Sequence, residues 1–197
     1  AEKGLTVMSH AEDMDLSAID YRLAENLETA RNLYLAASTG AKLHMCHVST
    51  KEALEDILTA KRRGVRVTFE VTPHHIWFCH DEFRVNPPIR QQEDVDALVR
   101  AMLADEVDAI ATDHAPHTPQ DKQNGAPGCV GLETAFSVCY TKLCRQHGMP
   151  LSRLSRMMSR TPAQIMGLNK GLLQPGFDGD VVLVAPEEEY TVNPDEF

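Results

Sequence analysis

Short apolar or β-branched runs alternate along this chain with longer segments of helical period, and that alternation limits the fold more than any other feature. Residues 5–10 and 43–48 read as strands, and residues 65–72 and 107–112 as two more. Between them lie segments of helical period at 19–37, up to 63, 92–104 and 132–147. The first of these helices carries Leu23, Leu27, Ala30, Tyr34 and Ala37 on one face and is ended by Gly40. Ser49 with Glu52 three residues on forms a capping box for the second, which Gly64 stops. Strands alternating with helices imply right-handed βαβ units and a parallel sheet, so the expected class is α/β.

The tail differs in kind. Thr161-Pro162 reads as an N-cap followed by proline at the first helical position, opening a short helix to Gly167. Pro175-Gly176-Phe177-Asp178-Gly179-Asp180 then turns into an expected strand at 181–184. The chain therefore divides at this level into an α/β part, 1–170, and a segment, 171–197, entering a small β structure.

Composition narrows the function. A chain of 197 residues that is 43% hydrophobic can build one real core. The net charge of -10, with no basic stripe, excludes a nucleic-acid surface. No apolar run approaches the ~18 residues of a membrane span. The start, Ala1-Glu2-Lys3-Gly4-Leu5, lacks the apolar stretch of a signal peptide, and the cysteines at 46, 79, 129, 139 and 144 are scattered without CxxC pairing. Reduced, structural thiols and a cytoplasmic location are the expectation.

Three of the four strands end in a residue able to bind a metal: His10, His47 and Asp113. In parallel α/β barrels, loops at the carboxyl ends of the strands build the active site, so ligands distant in sequence can converge there. Neutral imidazole suits zinc, and a carboxylate can both bind metal and move a proton. A lone strand-end histidine is more often a hydrogen-bonded structural residue, and Asp113 alone could cap a turn. Equivalent placement at three strand ends favours the metal reading. The other histidines serve as controls: His44 and His114 should point away from the site by strand alternation, His74 and His75 read as structural, and His80 and His147 as surface residues. His117, just beyond Asp113, is placed for a substrate contact.

The wording of the motifs resembles the class I dihydroorotases. Ser9-His10-Ala11-Glu12-Asp13, Cys46-His47-Val48-Ser49-Thr50, Val71-Thr72-Pro73-His74-His75, Asn86-Pro87-Pro88-Ile89-Arg90, Ala111-Thr112-Asp113-His114-Ala115-Pro116-His117 and Gly131-Leu132-Glu133-Thr134 occur in that family's order. The resemblance implies a TIM-type (β/α)8 barrel of the metal-dependent hydrolases, represented here by about its last four βα units plus the start of a β-sandwich. It implies one or two zinc ions, with His10, His47 and Asp113 as ligands and Asp113 also as proton shuttle. Substrate contacts fall on Asn86, His117, Pro127 and Gly128, with Pro127 standing where the family usually has a bulkier residue. The family's His-x-His pair, its substrate-binding arginine and its bridging carboxylate have no counterpart after Ala1. A fragment, inactive alone and prone to associate, is therefore expected.

The reaction so implied is reversible interconversion of dihydroorotate and N-carbamoyl-aspartate in de novo pyrimidine synthesis. A metal lowers the pKa of bound water from about 15.7 to about 7, supplying hydroxide for attack on the ring amide carbonyl. Two other readings stay open: a hydantoinase or allantoinase, and a non-catalytic dihydroorotase-like scaffold for aspartate transcarbamoylase. The expected partners are a small-molecule substrate and either a second copy of the chain or aspartate transcarbamoylase.

Overall fold

In the computed structural model of the chain, residues 3–80 and 82–193 are described. Four strands, β1 (Thr6–Ser9), β2 (Lys42–Met45), β3 (Val67–Val71) and β4 (Ala109–Ile110), form one parallel sheet in sequence order. The four strands expected between residues 5 and 112 are all present but shorter, because only these residues find ladder partners. The register sets His44 beside Thr68 and Glu70 beside Ala109.

Alternation along β3 gives the sheet two chemically different faces. Val67, Phe69 and Val71 are buried against the helices, while His44 reaches across to Thr68 (Nδ1 to Oγ1 2.8 Å) and Glu70 (Nε2 to Oε2 2.9 Å) on the opposite face. The helical layer comprises α1 (Met14–Ser17), α2 (Tyr21–Thr39), α3 (Lys51–Arg62), α4 (Pro73–Trp77) and α5 (Gln92–Leu103). It continues with α6 (Pro119–Gln123), α7 (Ala135–Cys139), α8 (Leu151–Ser155) and α9 (Thr161–Met166). Phe69, Met45, Ile57, Leu98 and Met102 are fully buried between sheet and helices.

Local chemistry explains the boundaries. Asp20 opens α2 by accepting from the backbone of Arg22 and Leu23, and Gly40 closes it in the left-handed conformation at φ 69°. The face of α2 that packs inward carries Ala24, Glu25, Thr29, Leu33 and Ala36; the face with Leu23, Leu27 and Tyr34 is exposed. The capping box expected at Ser49 is not formed. Thr50 is the N-cap of α3, its Oγ1 accepting from the Ala53 amide, because the Ser49 hydroxyl is taken by Glu25.

Thr161 does not start a helix either. The chain runs into α9 from a π-helical segment, Arg156–Arg160, so Thr161 sits inside a continuous helix. A second π-helical segment, Tyr140–Arg145, extends α7. Two expected loops hold short helices: α4 follows the Thr72 cap and Pro73, and α6 follows the Thr118 cap and Pro119. The strand expected at 181–184 is absent: Val181 to Val184 pair with no strand among the described residues, and all four side chains are exposed. An extended run without a neighbouring ladder has no hydrogen-bond partner to make it a strand. The first two residues of the expected 1–170 part and the last four of 171–197 lie outside the described residues.

Candidate active site

The sequence predicts that His10 and His47 meet, and in the structure they do. His10 leaves the end of β1 and His47 lies just past β2, with His10 Nδ1 2.8 Å from His47 Nε2 and the rings edge to face. His10 Nε2 donates to Glu12 Oε2 at 2.7 Å, and the Asn86 amide donates to the same oxygen at 2.7 Å. With Nε2 turned to Glu12, the Nδ1 of His10 faces His47. A carboxylate behind a histidine in this way fixes its tautomer and ring orientation.

Backbone conformation is unusual at two of these places: His47 (φ 35°) and Asp113 (φ 48°) adopt positive φ without being glycine, as His80 and Asp105 also do. Such residues persist only where the surroundings over-determine them, and they gather at functional sites. His47 is held on either side by Cys46 N donating to Ser9 O and Val48 N donating to Glu70 O, both 2.9 Å.

Electrostatics favour neutral imidazole at the centre. Burial and the neighbouring His10 push His47 below the ordinary histidine value, against the pull of Asp113, Glu70 and Glu25. Burial also works against ionisation of Glu12, but its hydrogen bonds from His10, Asn86 and Ser17 outweigh this and hold the carboxyl below its usual range. Asp113 is near enough for its charge to act on His47, His74, Cys46 and Cys129.

These donors can be tested against a metal. His10 Nδ1 and His47 Nε2 offer two nitrogens at one place, as a zinc site needs, while the other ring nitrogen of His47, Nδ1, is buried and faces away from that pair. Among the described residues, however, no group of three or more His, Cys, Asp or Glu side chains is placed to hold an ion. Asp113 stands alongside the pair without completing a three-donor cluster. The fit is that of two ligands in place.

The expected substrate contacts divide into two groups. Asn86 joins the histidine pair through Glu12. His117, Pro127 and Gly128 lie together in the loop after Asp113, where His117 Nε2 is 2.9 Å from the Pro127 carbonyl. Lys122 gathers this loop, donating to the carbonyls of Arg84 (3.0 Å), Ala126 (3.0 Å) and Gly128 (2.8 Å). Gly128 has φ 134°, and a side chain there would collide with Ala115, whose Cβ and carbonyl oxygen lie 2.7 and 2.8 Å from the position a Cβ would take. His114 turns away, its Nδ1 accepting from the amides of Gly131 (3.1 Å) and Leu132 (3.3 Å).

Sequence reasoning assigned no role to Glu12, Glu25 or Arg90. Glu12 carried a usable signal, two residues after a strand-end histidine; Glu25 carried none, since an acidic residue inside a helix reads as a solvated face. A cavity of about 570 Å3 lies beside the site, walled by Trp77, Phe78, Phe83, Val85 and Val138. His74, Thr112 and Cys129 also line it, but His10, His47, Asn86 and Asp113 do not.

Comparison with known proteins gives the chain's family and fold. Residues 1–196 match the amidohydrolase family. The chain is 50% identical over 198 residues to a dihydroorotase of Clostridium botulinum, covering 100% of this chain and 50% of that protein. It is 46% identical over 187 residues to a dihydroorotase of Caldanaerobacter subterraneus, covering 89% of this chain and 43% of that one. Among solved structures, the L-hydantoinase of Arthrobacter aurescens superposes with a TM-score of 0.82 at 26% identity, over 90% of this chain and 47% of that one. The D-hydantoinase of a Thermus species shares the fold, with a TM-score of 0.84 at 24% identity over 91% and 47%. The chain thus spans about half the length of the curated relatives it matches, and its parallel sheet and helices correspond to half of their TIM-type barrel. By sequence and by fold, this chain belongs to the amidohydrolase family.

Proposed function

We propose that the complete polypeptide carrying these residues is a zinc-dependent dihydroorotase, interconverting dihydroorotate and N-carbamoyl-aspartate in pyrimidine synthesis. The observation that carries this reading is the meeting of His10 and His47 at neighbouring strand ends, with Glu12 fixing one ring and linking it to Asn86. The dihydroorotases of two organisms at 50% and 46% identity support the choice of substrate.

His10, His47 and Asp113 would hold zinc, which when bound would activate water and polarise a carbonyl. The protein's own groups do the rest. Asp113 takes the proton of the attacking water and returns it to the ring nitrogen as the amide C–N bond breaks, help worth about 10²–10⁴-fold in rate. Asn86 and the loop of His117, Pro127 and Gly128 orient the substrate, with backbone and amide donors holding its carboxylate in a protein whose overall charge repels anions. Soluble cytoplasmic operation, as a homodimer or with aspartate transcarbamoylase, belongs to this proposal; among the described residues no helix is long and apolar enough to cross a membrane.

A hydantoinase reading is favoured by the solved structures, though at 26% identity against 50% for a dihydroorotase. Assaying the complete protein with dihydroorotate, hydantoin and allantoin, alongside its zinc content, tests the proposal. Turnover of hydantoin or allantoin in preference to dihydroorotate would overturn it, and bound zinc with no turnover of any of them would indicate a scaffold.

A further inference from the structure

A buried ion pair behind the site has no part in the chemistry above. Glu25, on the inner face of α2, spends both carboxylate oxygens on groups from two other parts of the chain. Its Oε1 accepts from the Ser49 amide (2.8 Å) and the Thr50 amide (3.2 Å), the second and third residues after His47. Its Oε2 accepts from the Ser49 hydroxyl and from Arg90 Nη2, the latter at 2.9 Å. Arg90 Nε donates in turn to Ser49 Oγ (2.8 Å), and Nη2 reaches the Tyr21 carbonyl (3.3 Å). Arg90 is four residues beyond Asn86, and the segment between them is pinned from its other side by His75 Nε2, 3.0 Å from the Pro87 carbonyl.

All three side chains are withdrawn from water: Ser49 is 0% exposed, Glu25 4% and Arg90 9%. Burying two charges costs desolvation that their attraction only repays when the geometry is good, and apolar replacements of similar volume are often as stable or more so. Stability alone asks for an acceptor at the buried Ser49 and Thr50 amides, but not for an ion pair with Arg90. What apolar packing cannot supply is direction. A carboxylate gripping two consecutive amides and a planar guanidinium fixes both distance and direction.

We propose that the Glu25–Arg90 pair is a positioning device that sets the strained His47 turn and the Asn86 loop at a fixed separation. The inference rests on the roles given above to His47 and Asn86. Glu25 clamps the chain leaving His47, Arg90 clamps the chain leaving Asn86, and Ser49 Oγ is shared between them. The separation of a histidine on one loop and an amide on another is thus decided by a contact neither of them makes.

The test compares the complete protein with Arg90→Lys and with the double variant Glu25→Leu/Arg90→Met. Four readouts apply: melting temperature, zinc affinity by chelator competition, kcat and KM for dihydroorotate, and the His47-to-Asn86 separation in a crystal structure. The double variant also leaves the buried Ser49 and Thr50 amides without their acceptor, so it is expected to melt below the parent as well as to bind zinc at least about tenfold more weakly. Its kcat/KM should fall at least tenfold and the two loops should move apart. Arg90→Lys keeps the charge but loses the fork, so its melting temperature should hold while KM rises severalfold. Parental zinc affinity, kinetics and separation in both variants would overturn the proposal. Should the double variant fail to fold, Arg90→Lys decides alone by the same criteria. A parent that turns over no dihydroorotate defeats the functional reading, while the separation, and zinc affinity where zinc binds, still judge the positioning role.

Discussion

His10 Nδ1 and His47 Nε2 stand 2.8 Å apart although 37 residues separate them in the chain. Parallel pairing of β1 with β2, Ser9 beside Met45, delivers both rings to one end of the sheet. The meeting depends on strand order and register together with the place of each histidine just past its strand.

Asp113→Asn isolates the proton-moving role from the backbone role. Asparagine tolerates left-handed φ at least as well as aspartate, so the φ of 48° should be kept and the melting temperature should change little. Turnover of dihydroorotate should fall by about 10²–10⁴-fold. Steady-state kinetics with a thermal melt make the comparison, and near-parental kcat would remove Asp113 from the mechanism.

Asn86→Ala removes the amide that meets Glu12, while leaving His10 and His47 in place. KM should rise together with a smaller drop in kcat, since a group that orients substrate acts in both the ground and transition states. An unchanged KM would mean that Asn86 serves Glu12 only.

Gly128→Ala probes the loop below Asp113. With φ at 134° and Ala115 in the way, the added methyl must shift the backbone. A rise in KM is expected with zinc content unchanged, because the His10–His47 pair lies outside this loop. Loss of zinc from the variant would contradict that separation.

Acid should weaken the fold through buried histidines. His74 and His75 are both pushed down to about 3, burial being the main cause, from an ordinary 6.5. Their folded-state values lie below the unfolded one, so the unfolded chain takes up protons first as pH falls. Stability is therefore full above about pH 6.5 and is lost progressively towards pH 3, each histidine contributing up to about 1.4 kcal/mol per pH unit. Urea midpoints between pH 7.5 and 4.5 measure this above the range in which carboxylates dominate, and His75→Gln should flatten the decline. Midpoints independent of pH over that window would refute it.

Much of the fold was legible in the sequence because its signals are local. Gly40 closes α2, and the placement of His10, His47 and Asp113 one to three residues past β1, β2 and β4 follows from period and punctuation. What escaped detection was decided by contacts between distant parts of the chain. Ser49 looked like the cap of α3, but Glu25, 24 residues earlier, claims its hydroxyl and leaves the cap to Thr50. Likewise Thr161 has the wording of a helix start, yet the helix arriving through Arg156–Arg160 runs past it. The run from Val181 to Val184 has strand composition but no neighbour to pair with among the described residues. At the site, the histidines were foreseen, whereas Glu12 as their link to Asn86 required the third dimension.

The cavity beside the site has a practical consequence through its aromatic wall. Trp77 is the sole tryptophan of the sequence, and it borders that space together with His74. Intrinsic emission from the indole therefore reports on a single location, and whatever enters or leaves that void will register as a change in colour or intensity without any label.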